Sequence, residues 1–281
     1  MKTILRGSTK EVVIDTEGQV VIIGESINPT RRKKLVSTLQ ERNFEYMLSL
    51  AKTQIDASAE VLDVNVGFPG VVDEVLLPEA VIALQAHFGV PLCLDSPNHK
   101  AIEAALKVAK GRCIINSVNA KETSLQWLLP VAVEYGAAII GLVLDDGGIT
   151  NDPEKRLRIA EKILERAIKA GLRAEDVIID PMAMAVSADS RACIVTLETI
   201  RLVRKNLGLN ITQGASNISF GLPDRENINN AFMALSIMNG LTCPIANPEK
   251  ITGLVRATDL VLARDEYAVR FIEYYQNTLR S

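Results

Sequence analysis

Thr212-Gln213-Gly214-Ala215-Ser216-Asn217-Ile218-Ser219-Phe220-Gly221 follows an apolar, strand-like run and sets a polar pair, Ser216 and Asn217, where a strand should end. Four earlier places repeat the pattern: Asp63-Val64-Asn65-Val66-Gly67, Leu94-Asp95-Ser96-Pro97-Asn98, Ile114-Ile115-Asn116-Ser117 and Ile178-Ile179-Asp180-Pro181. In each, the residues of a buried strand give way to Asp or Asn. Parallel strands closed into one barrel would bring these side chains to a single mouth. Such a mouth is rich in amides and carboxylates and almost free of His, Cys and Lys. It suits a flat heterocycle with many hydrogen-bonding edges.

The rest of the chain has the alternation such a barrel requires. Apolar runs recur at 61–66, 91–94, 113–116, 137–144, 177–180, 210–213 and 243–246. Between them lie apolar stripes at helical spacing: Phe44, Leu48, Ala51, Ile55; then Ile102, Ala105, Leu106, Ala109; then Leu157, Ala160, Ile163, Leu164, Ala167. Asp152-Pro153 opens the last of these helices and Gly171 closes it. Counting a first strand that ends at Gly24-Glu25, there are about eight βα units, enough to close a TIM (β/α)8 barrel. A doubly wound open sheet is the alternative, but no glycine-rich GxGxxG turn follows the first strand. Ahead of the barrel, Glu11–Asp15 and Gln19–Ile23 flank Thr16-Glu17-Gly18 and read as a β-hairpin turning at Gly18. The expectation is one domain over residues 1–281, with 1–18 as a hairpin extension.

Composition limits the function. The 281 residues are 48% hydrophobic and only 4% aromatic, so the core is aliphatic, as buried parallel strands require. A net charge of -3 gives no general attraction to nucleic acid or an anionic membrane. No signal-peptide pattern and no apolar run of about 20 residues is present, so a cytoplasmic protein is expected. Cys93, Cys113, Cys193 and Cys243 form no CxxC pair and read as small buried hydrophobes.

Asp95, Asn116 and Asp180 are the foremost candidate ligands. A carboxylate accepts two parallel hydrogen bonds from a ring N–H and an exocyclic amine, and an amide serves a mixed edge. An isolated Asp at a strand end also serves as a helix cap, and Asp180 before Pro181 fits that role too. Asp63, Asn65 and Gly67 share a strand face, and either line the site or form a polar network beneath it. Glu25 and Asn28 follow the first strand with the same two readings. Arg31, Arg32, Lys33 and Lys34 are the only basic run; it is either a solvated helix start or a contact for an acidic ligand tail or partner. Arg225 stands in the same position. The chain has two histidines, no HExxH and no Cys/His set for zinc. It carries no GxSxG and no phosphate-binding P-loop, and no strand end offers a Schiff-base lysine. The site is expected to bind and polarise, without a metal of its own, and to receive its nucleophile from elsewhere.

Gly24-Glu25-Ser26-Ile27-Asn28, Asp63-Val64-Asn65-Val66-Gly67, Leu92-Cys93-Leu94-Asp95-Ser96, Ile115-Asn116-Ser117 and Ser216-Asn217-Ile218-Ser219 occur in this order. The ordered set resembles the pterin-binding TIM-barrel family, and within it the methyltetrahydrofolate:corrinoid-protein methyltransferases, over roughly residues 19–275. The resemblance implies that Asp95, Asn116 and Asp180 hold the pterin ring and that Ser216 and Asn217 lie at the ring, with Asn217 near N5. It implies tetrahydrofolate or methyltetrahydrofolate as substrate, a separate corrinoid protein as partner and bearer of the cobalamin-type group, and a homodimer. Asp145-Asp146-Gly147-Gly148 and Phe220-Gly221-Leu222-Pro223 depart from the family pattern. Dihydropteroate synthase is the near rival, but it would be expected to have a basic motif where Ser216-Asn217-Ile218 stands. A non-catalytic pterin-binding subunit and a metal-dependent TIM-barrel lyase are the remaining alternatives.

Overall fold

The protein is described by a computed structural model over residues 1–280, the last three as backbone only. A hairpin of β1 (Lys2–Arg6) and β2 (Glu11–Asp15) precedes the barrel strands β3 (Ile23–Ile27), β4 (Val61–Val64), β5 (Leu92–Asp95), β6 (Ile114–Asn119), β7 (Ala138–Leu142), β8 (Val177–Asp180), β9 (Asn210–Ile211) and β10 (Ile245–Ala246). The helices are α1 (Lys33–Gln40), α2 (Glu45–Asp56), α3 (Asp73–His87), α4 (His99–Val108), α5 (Glu122–Glu134), α6 (Pro153–Ala170), α7 (Ala192–Leu207), α8 (Arg225–Asn239), α9 (Pro248–Val261) and α10 (Val269–Arg280).

Strands β3 to β10 are all parallel, in the order β10-β3-β4-β5-β6-β7-β8-β9. The sheet closes where the Cys243 N–H donates to the Ile211 carbonyl at 3.0 Å and the Ile245 N–H to the Gln213 carbonyl at 2.9 Å. Closure is what removes the sheet's edges. Successive strand residues face opposite sides. One set, including Leu62, Leu94, Ile115, Ile139, Ile179 and Ile211, packs outward on the helices. The other, Ile23, Val61, Cys93, Ile114, Ile140, Ile178 and Cys243, fills the interior. Each of these buried aliphatic side chains is worth about 1.5–3 kcal/mol relative to exposure.

The hairpin lies at the N-terminal end of the barrel and seals its floor. Leu5 and Ile14 are fully buried in the interior cluster. Asn210 of β9 donates to Thr3 Oγ1 and to the Ile14 carbonyl, both at 2.9 Å. The hairpin's composition differs from the expectation. Its arms are Lys2–Arg6 and Glu11–Asp15, in antiparallel register from Lys2↔Asp15 to Arg6↔Glu11, and 19–23 is not an arm. The turn is Gly7 to Lys10, where the Gly7 N–H donates to the Lys10 carbonyl at 2.8 Å. Gly7 is required there, since a Cβ would lie 2.0 Å from the Gly89 carbonyl oxygen. Residues 20–23 are all buried in the barrel, so β-propensity on both sides of Gly18 misled the pairing. Gly18 is not among the glycines with positive φ.

The helix signals on α6 hold. Asp152 accepts from the Glu154 N–H, and Gly171 ends the helix at φ 112°. Among the described residues, no helix is long and apolar enough to cross a membrane. Cys93, Cys113 and Cys243 are buried and free, and Cys193 is half-buried and free.

Candidate functional site

The interior face of the barrel changes character within one step of the strand period. Ile23, Val61, Cys93, Ile114 and Ile178 belong to the apolar interior. Two residues further along the same strands stand Glu25, Asp63, Asp95, Asn116 and Asp180. A two-residue step keeps a side chain on the same face. These five side chains therefore form a polar layer directly above the aliphatic one, at the C-terminal mouth.

Asn116 Nδ2 donates to Asp63 Oδ1 at 3.1 Å, passing β5 to reach β4. Asn65 Nδ2 donates to Asp95 Oδ2 at 2.9 Å, and Asn65 Oδ1 accepts from the Gly67 N–H at 2.8 Å. Asp63 is thus steadied by an amide of β6, and Asp95 by an amide just past the end of β4. Asp63 is almost completely buried. Burial, reinforced by the neighbouring Asp95 carboxylate, pushes Asp63 up to about 8 against the hydrogen bonds from Asn116 and Cys93. Burial also raises Asp95, opposed by the Asn65 amide. Asp63 accordingly carries a proton at neutral pH, held beside a second carboxylate. Burial and both nearby carboxylates likewise keep the Cys93 thiol protonated.

Asp180 is pushed up to about 6 by burial, opposed by the Met182 N–H and the Arg156 charge. Its Oδ1 accepts from the Met182 N–H at 2.7 Å. No helix begins there, since α7 starts only at Ala192, so Asp180 shapes its own loop rather than capping a helix. Arg156 of α6 is a site residue that the sequence reading passed over. It is 1% exposed, and donates to the Thr150 carbonyl at 2.8 Å, the Pro181 carbonyl at 2.7 Å and the Met182 carbonyl at 3.0 Å. It pins the loop that carries Asp180. The signal was available: Arg156 shares the stripe of Ile159, Ala160, Ile163 and Ala167, a buried face on which a cation needs buried partners.

Glu25 accepts from the Ser216 hydroxyl and the Asn247 backbone N–H. Burial raises its pKa, while Arg32 and Arg225 oppose the rise. Arg225 donates to the Ser216 carbonyl at 2.7 Å and to Ser219 Oγ at 3.0 Å, so it fixes the turn after β9. In that turn, a short 3-10 segment over Ala215–Asn217, the Asn217 side chain is exposed at the mouth. Asn28 Oδ1 accepts from the Thr30 N–H at 3.0 Å and so serves a local turn. The basic run is divided: the Arg31 guanidinium lies 5.2 Å from the centre of the Phe220 ring, Lys34 lies over Tyr46, and Arg32 turns to the mouth.

Three cavities open at this end. One, of about 420 Å³, is lined by Glu25, Arg32, Ser216, Arg225, Asn229 and Lys250, among others. A second, of about 490 Å³, includes Asp95, Asn116, His99 and Trp127, the last two stacked with ring centres 4.9 Å apart. A third, of about 590 Å³, includes Asn65, Gly67 and Asn98. Asp63, Asp180 and Asn217 line none of these three. Asn98, not Asp95, caps α4. The structure thus joins Glu25, Asp63, Asn65, Asp95, Asn116 and Ser216 by direct contact or shared charge, and leaves Asn28 aside.

The sequence profile described as pterin binding enzyme matches residues 24–247. The methylcorrinoid:tetrahydrofolate methyltransferase of Eubacterium limosum is 28% identical over 92% of this chain and 96% of its own length. Methionine synthase of Mycobacterium tuberculosis is 28% identical over 85% of this chain, which spans only 21% of that protein. Among solved structures, a sulfonamide complex of Yersinia pestis dihydropteroate synthase superposes with a TM-score of 0.71 at 16% identity, covering 92% of this chain and 99% of the other. At that identity the likeness concerns the fold.

Proposed function

We propose that this chain, which belongs to the pterin-binding enzyme family, is a methyltransferase that moves a methyl group between N5 of tetrahydrofolate and the cobalt of a separate corrinoid protein. The observation that carries the reading is the likeness to the Eubacterium limosum methyltransferase along nearly the full length of both chains. The polar layer supplies the chemistry. Asp95, Asn116 and Asp180 offer two acceptors and one mixed amide to the pterin's N–H, amine and carbonyl edges. Asn217, exposed at the mouth, meets N5 on the side from which the partner approaches.

In one direction the N5–CH3 bond breaks as the cobalt–carbon bond forms. The cobalt(I) electron pair makes the new bond, and N5 keeps the pair from the old one. An amine leaves poorly unless N5 is protonated or strongly hydrogen-bonded. The Asn217 amide supplies a fixed dipole there. The Asp63–Asp95 pair, raised by burial, is one acid store on the barrel interior, and Glu25, bonded to Ser216, is another. In the other direction the N5 lone pair takes the methyl group from methylcobalt and N5 releases its proton. The corrinoid comes as the partner's cargo, and the reaction needs no metal of this chain.

The chain works as a homodimer in the cytoplasm on this reading. Exposed Leu235 and Met238 of α8, Val261 of α9 and Tyr275 of α10 support a self-association face. Light scattering giving twice the mass of one chain is the expected result, and the monomer mass would refute it. The substrate reading is tested by calorimetry of purified, chelator-treated protein with 5-methyltetrahydrofolate. Saturable binding is expected; no binding, or binding only with an added divalent ion, would contradict it.

A further inference from the structure

We infer that the 420 Å³ cavity between the turn after β9 and the start of α9 takes the glutamate tail of the folate, with Arg32 and Lys250 receiving its carboxylates. This rests on the folate reading above. In a folate, C6 is bonded to N5 and carries the tail, while the amine and lactam edges lie at the far side of the ring. With those edges at Asp95 and Asn116 and N5 at Asn217, the tail must leave past Ser216. Ser216 and Glu25 line this cavity, whereas Asp95 and Asn116 line the one across the mouth.

Three cations, Arg32, Arg225 and Lys250, line the cavity against two carboxylates, Glu25 and Glu226. It lies at the loops after the seventh and eighth barrel strands, where barrels commonly bind anionic groups. Arg225 and Glu226 at the start of α8 and Asn247 and Lys250 at the start of α9 line it; Asn247 caps α9 by accepting from the Glu249 N–H, so α8 offers the uncapped N-terminus. The residue before α8, Asp224, lies in the left-handed region at φ 49° and its side chain caps none of the first-turn amides. Of the cations, Arg225 is committed to Ser216 and Ser219. Lys250 holds only a long 3.6 Å contact with Glu226 and is largely exposed. Arg32 meets Glu25 through charge alone. Asn229 Oδ1 is buried and has no hydrogen-bond partner.

The test compares 5-methyltetrahydrofolate, its triglutamate and 5-methyltetrahydropteroate, which lacks glutamate, by calorimetry against the native protein and the Arg32→Ala and Lys250→Ala variants. A charge-assisted contact is worth about 1.5–3 kcal/mol, so the tail should tighten binding about 10- to 100-fold in the native protein. In each variant that ratio should fall several-fold towards one, and added salt should lower it too. Equal affinity for the forms with and without glutamate in the native protein would overturn the inference. So would variants that leave the ratio intact, or that instead raise the KM for the corrinoid protein. If none of the three pterins binds, the folate reading itself fails.

Discussion

Asn116, midway along β6, donates its side-chain amide to Asp63 on β4, 3.1 Å away, across the intervening β5. This bond ties β4 to β6 at the level where the barrel interior turns from aliphatic to polar. It also places a buried, protonated carboxyl beside the Asp95 carboxylate.

Asp63 makes stability depend on pH in a definite direction. Its folded-state pKa is raised from 3.8 to about 8, so the native state holds a proton that the unfolded chain releases. That contribution is complete below about pH 4 and is lost as pH rises through 8. Asp63→Asn keeps an oxygen for Asn116 but removes the proton linkage. Urea midpoints should fall less steeply between pH 5 and 8.5 in the variant than in the native protein. Parallel curves would show that Asp63 is ionised in the fold.

Asp180 links ligand binding to pH. Its pKa is raised to about 6, and a neutral carboxyl is a poorer acceptor for pterin N–H groups. Folate affinity should weaken as pH drops from 7 to 5, and Asp180→Asn should flatten that dependence. Asp180→Ala, Asp95→Ala and Asn116→Ala should each cost more in folate affinity than in the urea midpoint, with about 1.5–3 kcal/mol lost per charged contact and about 0.5–1.5 for the amide. Unchanged affinity with lowered stability would return these residues to a purely structural network.

The alternation of apolar runs and helical stripes made the barrel legible, because parallel strands buried on both faces and helices buried on one leave different periods in a sequence. The polar strand ends were legible for the same reason: Asp63, Asp95, Asn116 and Asp180 interrupt runs that are otherwise aliphatic. The hairpin was half legible. Glu11–Asp15 reads as a strand, but its partner depends on the Gly7–Gly89 backbone contact, which lies far apart in sequence. Arg156 was legible only from its place on the buried stripe of α6, because its partners, the carbonyls of Thr150, Pro181 and Met182, sit in loops that no local pattern brings together. Asn229 and Lys250 come to the mouth through the placement of α8 and α9, which no local pattern announces.

Arg156 should prove costly to replace. Arg156→Met leaves one buried and two half-buried carbonyls without their donor and should cost about 3 kcal/mol in unfolding free energy. Because it pins the Asp180 loop, the variant should also lose folate affinity under conditions where it remains folded. Equal stability in urea would mean that water replaces the guanidinium there.

Asn217 should act on the reaction more than on the ground state. Asn217→Ala is expected to lower the single-turnover rate at saturating folate by about 10²–10³, the loss typical of one preorganised donor. Weaker binding with an unchanged rate at saturation would make Asn217 a positioning residue only, and the Asp63–Asp95 pair would carry the polarisation of N5.

The most direct measurement mixes the purified chain with 5-methyltetrahydrofolate and a cobalt(I) corrinoid protein and follows the corrinoid absorbance. Stoichiometric appearance of methylcobalt and tetrahydrofolate, reversed by adding excess tetrahydrofolate to the methylated corrinoid protein, is the predicted result. Tight folate binding with no methyl transfer in either direction, across corrinoid proteins that other methyltransferases accept, would contradict the account.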